Sequence, residues 1–346
     1  RSWWTVQKKY VKKVLMTRIL ILLFFPLSIV CQNLDKIFFK KNEVYFSFNY
    51  EKKSQLDRLS KIISLDHKIE KTTAYAYANK KQFENFLKEN IEFKLINNQV
   101  SFDNISKNNW DYYPTYNQYV DMMYAFADSF PNICKVHSLG TLNSGREILI
   151  VNISDNVGQK ENEPSFLYTS SMHGDELTGY VLMLRFIDDI LNNYNTNNRI
   201  TYLVNEIDIW INPLANPDGA YAGGNSNVWG ATRSNANFID LNRNFPDPQD
   251  GPHPDGNPWQ EETLIFMGLS DTINFNLSSN LHTGSVVANY PWDTWSQLTA
   301  DDSWWQHVCN EYADTCQFYG TGNYFTNYND GIINGYDWYE VDGGRQ

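Results

Sequence analysis

Basic side chains are scarce over the last two thirds of this sequence. From residue 108 onward there are 8 Lys and Arg against 30 Asp and Glu. A stretch so acidic repels a phosphate backbone, which excludes a nucleic-acid-binding role. Cysteine is also thin, with Cys31, Cys134, Cys309 and Cys316 in 346 residues. The three that follow Cys31 cannot all pair, and only Cys309 with Cys316 could close a short loop. Placement of both on one helix, seven residues apart, would make that bond doubtful. Long apolar runs are missing as well. The longest, Ile19–Val30, is broken by Pro26 and Ser28 and is too short for a comfortable membrane span.

What is present is apolar material in quantity: 42% hydrophobic and 15% aromatic residues, enough for a large buried core and incompatible with a disordered chain. The net charge of −12 hides three regions. Residues 1–32 hold six basic side chains and no acid, residues 33–107 hold 14 basic and 10 acidic, and the rest carries the acidity. Met16-Thr17-Arg18 followed by the apolar run has the layout of a secretory signal peptide over residues 16–31, with 1–15 upstream of the true start. Export, to a secreted or periplasmic location, is therefore expected, with no stable membrane span in the mature protein.

Residues 33–107 read as a small α+β domain, a possible propeptide. Val44, Phe46 and Phe48 alternate like one face of a strand, and Leu56, Leu59 and Ile63 fall at helical spacing. Thr72–Ala78 is a second strand, Phe83, Phe86 and Leu87 mark a second helix, and Ile91, Phe93 and Leu95 a third strand. The polar stretch Asn97–Asn109 is the expected linker. From residue 108 to 346 helices are expected over Tyr116–Phe130, Leu177–Leu191 and Trp259–Leu269. Strands are expected over Ile133–Ser138, Ile148–Ile153, Phe166–Ser170 and Ile207–Ile211. That alternation implies an α/β sheet sandwiched by helices, with ligands collecting at the carboxyl ends of the strands. The adjacent Trp304-Trp305 pair is expected in the core.

The strand Phe166–Ser170 runs into Ser171-Met172-His173-Gly174-Asp175-Glu176. A His nitrogen and a Glu oxygen three residues apart suit zinc, and three protein ligands with one open position define a catalytic site. Taken alone, such a pair arises often by chance. Asn280-Leu281-His282-Thr283-Gly284 offers a further His after an apolar segment. Four more segments accompany these: Asn212-Pro213-Leu214-Ala215-Asn216-Pro217-Asp218-Gly219; Arg233 with Asp240-Leu241-Asn242-Arg243-Asn244-Phe245; Tyr290-Pro291-Trp292-Asp293; and Gly335-Tyr336-Asp337-Trp338-Tyr339-Glu340-Val341-Asp342-Gly343-Gly344.

In this order and spacing the set resembles the zinc metallocarboxypeptidase family, in its regulatory branch that cleaves basic residues, over about residues 110–346. The resemblance implies the mixed, helix-sandwiched sheet of that family and one Zn2+ held by His173, Glu176 and His282. It implies that Arg233 stabilises the developing oxyanion, and that Asn242 and Arg243 grip the free C-terminal carboxylate of the substrate, as a planar guanidinium can. Tyr339 matches the mobile tyrosine that closes over the terminal residue. Asp293 and Gln346 match the positions that read the departing side chain, and an acid at 293 favours terminal Lys or Arg. The implied partners are basic C-termini of peptides or proteins. The family's general-base Glu is expected beyond residue 346, so the chain as it stands reads as cut short and inactive. Two other readings remain open: an inactive peptide-binding pseudo-enzyme, and a zinc amidohydrolase acting on cell-wall peptides. Asn152 and Asn276, like Asn104, are glycosylation acceptors only in a eukaryotic secretory pathway.

Overall fold

A computed structural model describes residues 38, 43–70, 72–96, 110 and 112–345, with the backbone alone for 67–70. The expected leader at 16–31, the linker at 97–109 and Gln346 lie outside the described residues.

The first part builds one antiparallel sheet in the order β2-β3-β1-β4. Its strands are β1 (Glu43–Asn49), β2 (Ser64–Glu70), β3 (Thr73–Asn79) and β4 (Phe93–Ile96). Helices α1 (Lys53–Ser60) and α2 (Lys80–Leu87) cover one face. The alternation read in the sequence is the cause: Val44, Phe46 and Phe48 point inward with Ala74, Ala76 and Ala78, against Leu56, Leu59, Phe83 and Phe86. A capping box at Asn79 and Gln82 starts α2 directly after β3. Strand β2 escapes the sequence reading because Ser64, Asp66 and Lys68 interrupt any apolar pattern.

The second part holds a five-stranded mixed sheet in the order β5-β6-β8-β7-β9, namely Cys134–Thr141, Glu147–Ile153, Asp208–Asn212, Ser165–Ser170 and Leu277–Leu281. Strand β8 pairs antiparallel with β6 and parallel with β7, and β7 pairs parallel with β9. Both faces are buried. Leu149, Val151 and Ile153 of β6 pack with α3 (Tyr116–Ser129), α4 (Thr178–Asn193) and α5 (Asn198–Glu206). Ile148 and Ile150 of the same strand pack on the opposite side with Phe266 and Leu269 of α6 (Glu261–Thr272). This two-sided burial explains the nearly unbroken apolar run of β6.

A short parallel pair, β10 (Ala288–Tyr290) and β11 (Ile332–Asn334), packs with α7 (Asp302–Tyr319). Cys309 and Cys316 both lie on α7 and, with Cys134, are free thiols. Trp304 corrects the core expectation: it is 44% exposed on the outer face of α7, and only Trp305 packs inward. Among the described residues no helix is long and apolar enough to cross a membrane.

The two parts share a core. Trp338, Tyr339 and Val341, from the far end of the chain, join Leu56, Leu59 and Ile63 in one buried cluster.

Candidate metal centre and substrate cleft

Parallel pairing of β7 with β9 sets Ser170 opposite Leu281, so both strands end at the same level. The chain leaving β7 turns at Ser171, which holds a φ of 53° and donates its hydroxyl to the Glu176 carbonyl. That turn delivers His173 and Glu176, and His282 follows β9 directly. Gly174 lies so close to the backbone of Gly219 and Ala220 that a Cβ there would overlap them. Glycine at this position lets the ligand loop seat against the helical turn Pro217–Ala220.

Here His173 Nδ1 lies 3.0 Å from Glu176 Oε1, His282 Nδ1 lies 2.8 Å from Glu176 Oε2, and the two Nδ1 atoms are 3.1 Å apart. His173 Nε2 meets Asp240 Oδ1 at 2.9 Å, which places its proton on the outer nitrogen and leaves Nδ1 facing the cluster. Burial holds His282 below its ordinary pKa, against the opposing pull of Glu176, which keeps its ring neutral. Two imidazole nitrogens and a carboxylate, converging from a strand end with their outer atoms held by further groups, fit a tetrahedral zinc with one open position.

Arg233 is 1% exposed. Its Nη1 reaches Glu176 Oε1 at 3.1 Å and its Nε reaches Asp240 Oδ2 at 3.2 Å. The N-terminal part holds the rest of it: Nε donates to Ser64 Oγ at 2.6 Å, Nη2 to the Leu65 carbonyl at 3.3 Å, and the Arg233 amide to Glu43 Oε1 at 2.7 Å. Glu43 also accepts from the Ser234 hydroxyl at 2.8 Å, and burial raises its pKa despite these donors. Ser64 hydrogen-bonds Asp240 in turn.

Asn242 and Arg243 lie on the single turn Leu241–Arg243, capped by Asp240, whose Oδ1 accepts from the Asn242 amide at 2.9 Å. Arg243 is 6% exposed, and although Nη1 donates to the Asn242 carbonyl at 2.6 Å, Nε and Nη2 are buried with no hydrogen-bond partner. A buried guanidinium with two free donors is costly unless an acceptor arrives. Asp293 accepts from Asn289 Nδ2 at 3.2 Å, and burial raises its pKa to about 6, partly offset by Asn289 and then by Arg243. A Cβ on Gly335 would fall inside the Asp293 carboxylate. Tyr339 is fully enclosed, its hydroxyl without a hydrogen-bond partner and its pKa raised by burial.

The structure thus brings His173, Glu176, His282, Arg233, Asn242, Arg243, Asp293 and Tyr339 to one end of the sheet and its flanking loops. Sequence reasoning passed over Asp240, which orients both His173 and Arg233, and the N-terminal contacts Glu43 and Ser64. An acid two residues before the Asn242-Arg243 pair was visible, but nothing in its spacing pointed to a histidine 67 positions away.

The zinc carboxypeptidase family model matches residues 119–346. Carboxypeptidase D of Rattus norvegicus is 39% identical over 240 residues, covering 64% of this chain and 17% of that protein. Carboxypeptidase M of Mus musculus is 37% identical, covering 64% of this chain and 52% of that protein. The carboxypeptidase N catalytic chain of Homo sapiens is 35% identical, covering 67% of this chain and 58% of that protein. Among solved structures, carboxypeptidase A from Helicoverpa armigera superposes with a TM-score of 0.64 at 20% identity, covering 88% of this chain and 84% of that one. Thrombin-activatable fibrinolysis inhibitor gives 0.64 at 15% identity, covering 88% and 86%. A share of 88% must take in the N-terminal part as well, so the likeness of fold extends across both. On the family match and the identity to carboxypeptidases D, M and N, the chain belongs to the zinc carboxypeptidase family, in its regulatory branch.

Proposed function

We propose that the protein is an exported carboxypeptidase that removes C-terminal Lys or Arg from peptides, and that its N-terminal part, residues 33–107, covers the catalytic site. The observation that carries the exopeptidase reading is Arg243, whose two buried donors, Nε and Nη2, have no acceptor. A substrate carboxylate would satisfy both donors in a bidentate pair, with the Asn242 amide beside it. Only a chain end carries such a group.

Zinc held by His173, Glu176 and His282 would polarise the scissile carbonyl as a Lewis acid. Arg233 would present fixed positive charge to the oxygen on which charge develops, and Asp240 would keep both Arg233 and His173 in place. Asp293 would pair with the terminal ammonium or guanidinium, and Gln346, the other expected pocket residue, is assigned a role in reading the same side chain. Tyr339 would close over that residue once freed from the apolar cluster of the N-terminal part. With that part docked, Ser64 and Leu65 occupy the Arg233 guanidinium and Tyr339 is enclosed, which supports a latent state. Export rests on the leader-like run at 19–30.

The test is hydrolysis of peptides ending in Lys, Arg, Phe or Leu, with whatever sequence follows residue 346 included. Preference for Phe or Leu would overturn the specificity, and activity indifferent to chelators would overturn the zinc requirement. Cell-wall peptides serve as the comparison for the amidohydrolase reading, which the Arg243 donors favour less. Mass analysis of active secreted protein tests the covering role, since intact residues 33–107 in fully active material would contradict it.

A further inference from the structure

The two histidines of the cluster are held from behind by different kinds of group. His173 Nε2 faces the Asp240 carboxylate, which only accepts and so fixes that ring in one tautomer. His282 Nε2 lies 3.1 Å from Asn280 Nδ2, part of a carboxamide that can serve in either sense.

Strand pairing puts Asn280 there. It stands two residues before His282 at the end of β9, so both side chains leave the chain on the same side. Parallel register sets it opposite Thr169 of β7, whose Oγ1 is 3.0 Å from Asn280 Oδ1. Thr169 is 1% exposed, and its Oγ1 also accepts from Arg345 Nη1 at 2.8 Å. The Arg345 guanidinium lies over the Phe266 ring, 4.7 Å from its centre, and can only donate. A row of hydrogen bonds therefore runs from Arg345 through Thr169 and Asn280 to His282.

As the row stands, the Thr169 hydroxyl donates to Asn280 Oδ1, and Asn280 Nδ2 donates to His282 Nε2. The ring proton is then on Nδ1, where it meets Glu176 Oε2 at 2.8 Å. A metal taken by Nδ1 needs the opposite: a bare Nδ1, the proton on Nε2, and an acceptor behind it. Half a turn of the Asn280 carboxamide supplies this. It brings Oδ1 to His282 and Nδ2 to Thr169 Oγ1, at the cost of the bond from the Thr169 hydroxyl. We infer that Asn280 is a positioning residue for the metal centre, turning its oxygen to His282 Nε2 when zinc binds, with Thr169 and Arg345 holding the carboxamide from the other side. Such a role rests on His173, Glu176 and His282 being the zinc ligands.

The experiment is Zn2+ binding to the metal-free full chain by chelator competition, in wild type, Asn280→Leu and Asn280→Asp, with Co2+ absorption spectra of each. Asn280→Leu keeps the branched shape but offers no acceptor, and should loosen Zn2+ about ten- to a hundredfold. Asn280→Asp supplies the fixed acceptor that Asp240 gives His173, and should bind at least as tightly as wild type. The visible Co2+ bands should shift in Asn280→Leu and return towards wild type in Asn280→Asp, a rescue that a packing role would not produce. Asn280→Ala takes the place of Asn280→Leu should that variant fail to fold. Equal Zn2+ affinity in wild type and Asn280→Leu overturns the role, and so does an Asn280→Asp that binds no more tightly than Asn280→Leu. A wild type that takes up no Zn2+ overturns the metal centre itself, and the role with it.

Discussion

At the scale of single residues, the cleft is set by polar groups held in burial. Arg243 awaits two acceptors and Asp293 holds its proton more tightly than an exposed aspartate. Arg243→Lys keeps the charge but loses the planar fork, and kcat/KM on free-acid peptides should fall roughly ten- to a hundredfold. C-terminally amidated peptides, poor substrates from the outset, should show no comparable loss. Asp293→Asn should cut the preference for terminal Lys over Leu by about a hundredfold, measured as the ratio of kcat/KM values. The pH dependence has a definite sign. Protonation below about 6 removes the Asp293 charge, so KM for peptides ending in Lys should rise as pH falls through that value, while peptides ending in Leu lack this rise. The residue types of this site were legible in sequence, because a His-x-x-Glu, a distant His and an Asn-Arg pair are local patterns. Asp240 was not, because its importance lies in contacts with His173 and Arg233 that only folding creates.

At the scale of elements, periodicity located most of the strands and helices, and failed where burial did not impose it. Strand β6, buried on both sides, and β1, buried on one, were readable from their apolar pattern. Strand β2, carrying Asp66, His67 and Lys68, forms because β3 offers it an antiparallel edge. Helix α5 begins at an Asn197 cap that accepts from the amides of Arg199 and Ile200, a signal weaker than its neighbours' apolar stripes. The glycine preceding the Tyr339 segment is decided by packing: Gly335→Ala would press a methyl into the Asp293 carboxylate. A destabilisation of about 1–3 kcal/mol is expected, read as a lower thermal midpoint, with weakened discrimination for basic termini.

At the scale of the whole molecule, the N-terminal part joins the catalytic part through a shared apolar cluster and a polar set centred on Arg233. Lys53 donates to the Tyr336 carbonyl, the Glu340 amide donates to Asp57 at 3.2 Å, and Asn79 Nδ2 donates to the Phe238 carbonyl at 3.1 Å. If this contact holds the enzyme latent, the pair Glu43→Gln and Ser64→Ala should raise basal hydrolysis by the uncleaved protein, roughly tenfold, since the Arg233 guanidinium then loses Ser64 and its amide keeps only a weaker acceptor, leaving the Leu65 carbonyl as the remaining hold on the side chain from the N-terminal part. Equal basal rates in this variant and wild type would count against latency. The charge difference between the two parts has physical form in Lys61 of the N-terminal part against Asp250 and Asp342.

By itself the sequence determined the ligand types, their order along the chain and the helix-sandwiched sheet, because each is written in local spacing and periodicity. It also carried the likeness to the zinc carboxypeptidases, since six separated motifs in register leave little room for coincidence. Only the tertiary structure decided how the parts meet. Parallel pairing of β7 with β9 brings His173 and His282 together, although 109 positions separate them. Closure of the N-terminal sheet over Tyr339 hands Arg233 to Ser64, Leu65 and Glu43. The reason is that a hydrogen bond or a buried charge is settled by what stands opposite it in space, and no spacing along a chain encodes that partner.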